Sequence, residues 1–159
     1  MHPEIRLQQL DITLPAAAPP AGNYVAAVRS GDLLFLSGKA PLALDGVKPR
    51  GKLGAEYSAE DGYRLARSAC LGLLAAIREE LGSLNQVQRF VELQGSLNTT
   101  PEFEAHARVL DGASDLIAEI FGADGQHARS VIGVASLRDN VPLTLRAVIE
   151  IKKKRRPYD

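Results

Sequence analysis

Apolar residues recur along this chain with two periods, and the switches between them mark the elements. Val25-Ala26-Ala27-Val28 and Leu33-Leu34-Phe35-Leu36 are short apolar runs separated by Ser30-Gly31-Asp32, the pattern of a β-hairpin. The second run ends at Ser37-Gly38-Lys39-Ala40-Pro41, where Gly38 lets another group approach the backbone closely. Residues 43–54, with three glycines and Pro49, read as an exposed loop or irregular edge strand. Leu65, Ala66, Ala69, Leu73, Leu74, Ile77 and Leu81 then share one side at helical spacing. Ser58-Ala59-Glu60-Asp61 opens that helix as a capping box with Asp in place of Glu, and Gly82 closes it.

Val87 to Leu97 reads as a strand. Thr100-Pro101-Glu102 predicts the start of a second long helix, with an N-cap hydroxyl, an early proline and a carboxylate at the positive end. That helix runs to Phe121, and Gly112 inside it costs about 1 kcal/mol relative to alanine, which predicts a bend or a close contact. Strands Ala128–Leu137 and Val141–Lys152, joined by Arg138-Asp139-Asn140, end the chain. At the other terminus, Pro3 opens a short helix reaching Leu10. Residues 1–22 form an extension whose last part, with three prolines between Pro15 and Gly22, is an extended surface connector.

The predicted fold is therefore α+β, a mixed sheet with two long helices on one face. Leu33–Leu36 and Val131-Ile132-Gly133-Val134 are nevertheless apolar on both sides. Two helices cover one side only, so a second copy of the chain is expected on the other.

Composition narrows the function. The 159 residues, 45% hydrophobic and 24% charged, suit one domain with a full core. Nineteen Lys+Arg against nineteen Asp+Glu leave no net charge, and aromatic residues are few. Both count against nucleic-acid binding, which needs a basic face or stacking platforms. The lone Cys70, flanked by Ala69 and Leu71, excludes an intrachain disulfide and reads as a buried thiol rather than a nucleophile. His2, His106 and His127 show no metal-ligand spacing. No apolar run approaches the roughly 18 residues of a membrane span. The opening Met1-His2-Pro3-Glu4-Ile5-Arg6 lacks a secretory apolar segment, so a cytoplasmic setting is expected.

Arg129 is the residue with the most chemistry. An arginine opening an apolar strand places its guanidinium at a sheet end, a subunit boundary or a ligand. Its planar fork suits either a ligand carboxylate or a neighbouring acid of the same chain. His127, two residues earlier on the same face, reads as a turn histidine more readily than as a base. The basic run Lys152–Arg156 reads as a fraying terminus, with contact to nucleic acid or an acidic partner as the alternative.

Taken in order, Gly22-Asn23-Tyr24-Val25, Gly31-Asp32-Leu33-Leu34-Phe35-Leu36-Ser37-Gly38, His127-Ala128-Arg129-Ser130 and Asn140-Val141-Pro142 resemble the RidA family. Its members are reactive-intermediate (imine/enamine) deaminases, also labelled translation inhibitors or L-PSP endoribonucleases. The likeness covers Tyr24 to Lys152, and the opening helix and the Gly112–Leu116 stretch resemble a longer bacterial subgroup. The resemblance implies a chorismate-mutase-like fold, a homotrimer with its sites in clefts between subunits, and no metal or organic cofactor. It also implies that Arg129 clamps the carboxylate of a 2-aminoacrylate-type imino acid, which water converts to a 2-keto acid and ammonia. Tyr24, Ser37 and Gly38 would line the cleft, and the Val131 backbone would face the imine nitrogen.

Two positions depart from that pattern. Thr144 stands where the family has a water-positioning glutamate, and Asp111 where it has an asparagine. Thr144 can hold a water but is a poor general base, and Asp111 can either orient water or repel a carboxylate substrate; Arg129, Thr144 and Asp111 form the expected catalytic set. The alternatives are a non-catalytic trimer binding a small carboxylate metabolite, and an RNA-acting endoribonuclease or translation inhibitor.

Overall fold

Strict alternation along the last strand sets the layers. In this computed structural model, which describes residues 2–154, Leu143, Leu145, Ala147, Ile149 and Ile151 of that strand are buried while Thr144, Arg146, Val148 and Glu150 face the other way. The elements are α1 (Pro3–Gln9), β1 (Ala27–Ser30), β2 (Leu33–Leu36), α2 (Ala59–Leu81), β3 (Val87–Asn98), α3 (His106–Phe121), β4 (Ala128–Val134) and β5 (Leu143–Ile151). The five strands form one mixed sheet in the order β1-β2-β5-β3-β4. Only the β3–β4 pair is parallel; the other pairs are antiparallel. That exception follows from the connection, because α3 carries the chain from the end of β3 back to the start of β4.

Both long helices lie on the face of the sheet that presents Leu34, Leu93, Leu145 and Ile149, and together they close one core. The stripe predicted for α2 is buried at Ala66, Ala69, Leu73, Leu74 and Ile77, with Leu65 and Leu81 at its margins. The capping box forms as read: Ser58 Oγ accepts from Asp61 N at 3.1 Å, and Asp61 Oδ2 accepts from Ser58 N at 2.9 Å. Cys70 lies wholly inside this layer, and burial pushes its thiol up to about 12, which removes it from thiolate chemistry.

Several boundaries differ from the sequence reading, the first strand among them, which runs over Ala27–Ser30 rather than Val25–Val28. The second long helix starts at His106 rather than Thr100, because the chain at 98–100 stays extended. Leu53 N donates to Asn98 O at 2.8 Å and Thr100 N to Leu53 O at 3.0 Å, so the loop at 51–54 takes these groups before a helix can. The strand from Ala128 ends at Val134 rather than Leu137, where the Lys52 ammonium binds the carbonyl of Ala135 at 2.6 Å. The final strand begins at Leu143, since Asp139 and Asn140 turn the chain through left-handed φ values of 52° and 54°. Arg155 and Arg156 of the basic run lie outside the described residues.

α1 forms as predicted and is docked by charge. Glu4 takes a two-pronged bond from Arg78, at 3.1 and 2.7 Å, and its Oε1 also accepts from Leu84 N at 2.9 Å. Burial raises the Glu4 carboxyl pKa, but the Arg78 and Leu84 bonds and the Arg78 charge together outweigh it, so the net shift is downward. A carboxyl depressed in the fold contributes stability above its ordinary pKa and loses it as pH falls through the folded value. We therefore expect the gap in urea midpoint between the native chain and Glu4→Gln to be full at pH 7 and to close in the acid range, which a pH series of unfolding curves would show.

Gly112 is a close contact, not a bend. A Cβ added there would lie 1.9 Å from the Tyr63 carbonyl oxygen, so α2 and α3 approach too closely for any side chain. Gly112→Ala should destabilise by about 3 kcal/mol. Gly72, also in α2, would meet only Leu42 Cδ2 at 3.5 Å, and Gly72→Ala should gain up to about 1 kcal/mol. Chemical unfolding reads both, and equal effects of the same sign would contradict the contact.

Candidate functional site

The sheet ends at β4, whose outer row of backbone N–H and C=O groups has no strand beside it among the described residues. Arg129 is the second residue of this strand. It stands opposite Leu93 in β3 and shares the helix-side face with it, so its side chain meets α3. There Ala107, Asp111 and Ser114, spaced four and three apart, form one stripe toward the strand.

The guanidinium uses all three. Its Nη1 donates to Asp111 Oδ1 at 2.7 Å and to Ser114 Oγ at 3.2 Å, and its Nη2 donates to the Ala107 carbonyl at 3.3 Å. The Nε–H makes no bond among the described residues. Side-chain exposure is 25% for Arg129 and 39% for Asp111, so the pair is held yet open to solvent. Of the two readings for Arg129, the structure shows the intrachain acid, with one edge of the fork left over.

His127 extends the network. Its Nδ1 lies 2.6 Å from the Gly125 carbonyl and its Nε2 lies 2.9 Å from Ser114 Oγ. A carbonyl only accepts, so Nδ1 carries the hydrogen, and in the neutral ring Nε2 accepts from the Ser114 hydroxyl. Ser114 then has its lone pairs turned to Arg129. The bonds run in one direction, from Arg129 to Ser114 to His127 to Gly125.

The other expected residues lie elsewhere in the chain. Val131 is two positions along β4 on the same face. Tyr24, Ser37 and Gly38 are at the opposite edge, three or four strands away, which is at least about 14 Å at ordinary strand spacing. Tyr24 is half exposed and its hydroxyl accepts from Ala21 N at 3.3 Å. The Ser37 hydroxyl donates to the Val25 carbonyl at 2.6 Å, which ties the two ends of the hairpin. Gly38 N–H and C=O find no backbone partner among the described residues. Thr144 pairs with Ser96 in β3 and sits on the sheet face away from the helices, opposite to Arg129. One chain thus brings together Arg129, Asp111 and Val131 and leaves the other four apart from them.

The sequence alone does not single out Ser114 or the Ala107 carbonyl, and in it His127 reads as a turn residue. The available signal was the 107–111–114 stripe on the helix preceding Arg129. Among the described residues no group of three His, Cys, Asp or Glu side chains is placed to hold a metal, and no helix is long and apolar enough to cross a membrane.

Known proteins share this fold. The profile of the family described as YjgF/chorismate mutase-like, with endoribonuclease in its description, matches residues 4–148. Protein TCP17 of Trypanosoma cruzi is 40% identical over 146 residues, 91% of each chain. The crystal structure of the Agrobacterium tumefaciens protein Atu1372, of unknown function, superposes with a TM-score of 0.85 at 36% identity, covering 94% of this chain and 92% of that one. A Shewanella oneidensis protein named as an endoribonuclease gives 0.90 at 34% identity, covering 95% and 100%. With the fold and these likenesses in agreement, the chain belongs to the YjgF/chorismate mutase-like family, the RidA-like proteins that its sequence motifs resemble.

Proposed function

We propose that this protein hydrolyses reactive 2-imino acids to 2-keto acids and ammonia, in clefts between the subunits of a homotrimer. The observation that carries the reading is the Arg129–Asp111 pair at an open strand edge. An imino acid near neutral pH carries a carboxylate and a protonated imine nitrogen. A cation and an anion fixed side by side complement that zwitterion: the free Nε edge of Arg129 takes the carboxylate, and Asp111 Oδ2 faces the iminium or the attacking water. Asp111 therefore does not simply repel the substrate, as it would a plain carboxylate.

The chemistry follows. A water adds through its oxygen to the imine carbon while one of its protons passes to the nitrogen, giving a carbinolamine with a C–OH and a C–NH3+. The C–N bond then breaks, the hydroxyl proton leaves with the ammonia as ammonium, and a C=O remains. The imine carbon is already electrophilic, so positioning and a held water supply most of the acceleration. Within one chain Asp111 takes the water-holding part, because Thr144 lies on the sheet face opposite Arg129.

The split of the site supports a cleft between subunits. The edge with Tyr24, Ser37 and Gly38 meets Arg129 only when one chain's β1–β2 edge lies against the next chain's β4 edge. Such head-to-tail contacts close into rings. Val28, Phe35 and Ile132 support the same arrangement, since they leave the helix-free sheet face with an apolar, solvent-exposed surface.

A second reading, a trimer that binds a carboxylate metabolite without turning it over, is favoured by Thr144 standing in place of a carboxylate. The endoribonuclease name carried by relatives finds less support: Cys70 is buried, and the His127 ring nitrogens are both engaged.

Following imine loss with 2-aminoacrylate or 2-iminobutyrate generated in situ separates these. The native protein should accelerate it, Arg129→Ala should lose about a hundredfold in kcat/KM through the missing charge-assisted clamp, and Asp111→Asn should lower kcat more than it changes KM. Saturable binding of the keto acid with no acceleration of imine loss would replace the enzyme by the binder.

A further inference from the structure

Three cations, two from the stretch 39–48 and one about ninety residues later, line one cavity. Between the proline-rich connector and Gly38 lies a hollow of about 250 Å³, lined by Pro19, Pro20 and Tyr24 and also by Lys39, Lys48 and Arg138. No carboxylate lines it. None of the three cations forms an ion pair among the described residues. The whole chain has no net charge, so the cluster does not follow from a basic composition.

Each cation is delivered by an anchored segment. Lys39 N and O both bond Leu145 in β5, at 2.7 and 2.9 Å. Lys48 follows the tight Leu44–Val47 turn, whose ends exchange two bonds of 2.9 Å. Arg138 begins the turn that Asn98 Nδ2 holds through Asn140 Oδ1 at 2.9 Å. Like charges gathered at one hollow repel, and an oxyanion placed among them removes that repulsion while accepting their hydrogen bonds.

We propose that this cavity is a subsite for a second anionic group of the substrate, a compact carboxylate or phosphate at the end remote from the imine. The inference deepens the deaminase reading and rests on it for the word substrate. Gly38 and Tyr24 belong both to this hollow and to the edge that meets the neighbouring chain's Arg129. A ligand bridging the two would place its imino-acid end on that arginine and its tail among Lys39, Lys48 and Arg138. The preferred substrate class is then a 2-imino acid with an anionic side chain. The proline-rich connector gains a role as well, as the wall that gives the hollow depth.

Calorimetric titration of the assembled protein with stable 2-keto acids tests the subsite without requiring turnover. The probes are 2-oxobutyrate (one carboxylate), 2-oxoglutarate (a carboxylate tail) and 3-phosphohydroxypyruvate (a phosphate tail). The subsite predicts that at least one of the latter two binds about tenfold or more tightly than 2-oxobutyrate. The tighter of them identifies the tail chemistry. In Lys39→Gln/Arg138→Gln that ratio should fall to about one, and in Lys48→Gln, an exposed loop position, it should fall part of the way. Equal affinity for all three probes in the native protein would overturn the proposal, as would a preference that survives the double variant. The imine assay on the same preparation reports separately on the deaminase reading, so a tail preference without imine loss leaves the subsite standing and removes the enzyme.

Discussion

The candidate site depends on where one guanidinium is held. Arg129 sits on an edge strand, yet three groups of α3 fix its fork before any ligand arrives. The pair with Asp111 is partly exposed, and at that exposure it contributes about 1 kcal/mol or less to stability. Its effect is directional instead. With Nη1 and Nη2 committed to Asp111, Ser114 and Ala107, the Nε edge is the part of the fork left for a ligand. The orienting chain runs back through Ser114 to His127 and the Gly125 carbonyl. This pre-organisation comes from the crossover connection, because only a helix returning over the sheet between β3 and β4 sets its stripe opposite the second residue of β4.

A second constraint acts on the sheet as a whole. Two helices cover one face, and the strand order places the hairpin edge and the arginine edge at opposite ends. Physical distance across the sheet, not side-chain orientation, separates Gly38 from Arg129. In the proposed assembly, joining one chain's hairpin edge to the next chain's arginine edge would answer the split site, and it would bring the connector-walled cation cavity beside the arginine.

Much of this was legible in the sequence. Period-two alternation in the last strand, the helical stripe ending at Gly82 and the Ser58–Asp61 box gave elements whose local and tertiary preferences agree. Gly112 was legible as a break in pattern, and the Tyr63 carbonyl beneath it explains the glycine. The start of α3 was not legible, because the bonds that keep Thr100 extended come from Leu53, nearly fifty residues away. The site divides the same way. Arg129 and Asp111 were recognisable through their neighbours in the chain. Ser114 as a spacer, the engaged His127 and the meeting of Lys39, Lys48 and Arg138 depend on tertiary proximity that no local pattern encodes.

The central claim, that Arg129 of one chain works with the hairpin edge of another, is tested most directly by mixing subunits. Arg129→Ala chains and Gly38→Val chains, each inactive toward imines alone, would be unfolded together and refolded in equal amounts. Random assembly would then leave about a quarter of the clefts with both native edges. Recovery of about that share of native imine hydrolysis is the predicted result. A mixture as inactive as its parents, from chains shown to have co-assembled, would contradict a site shared between subunits.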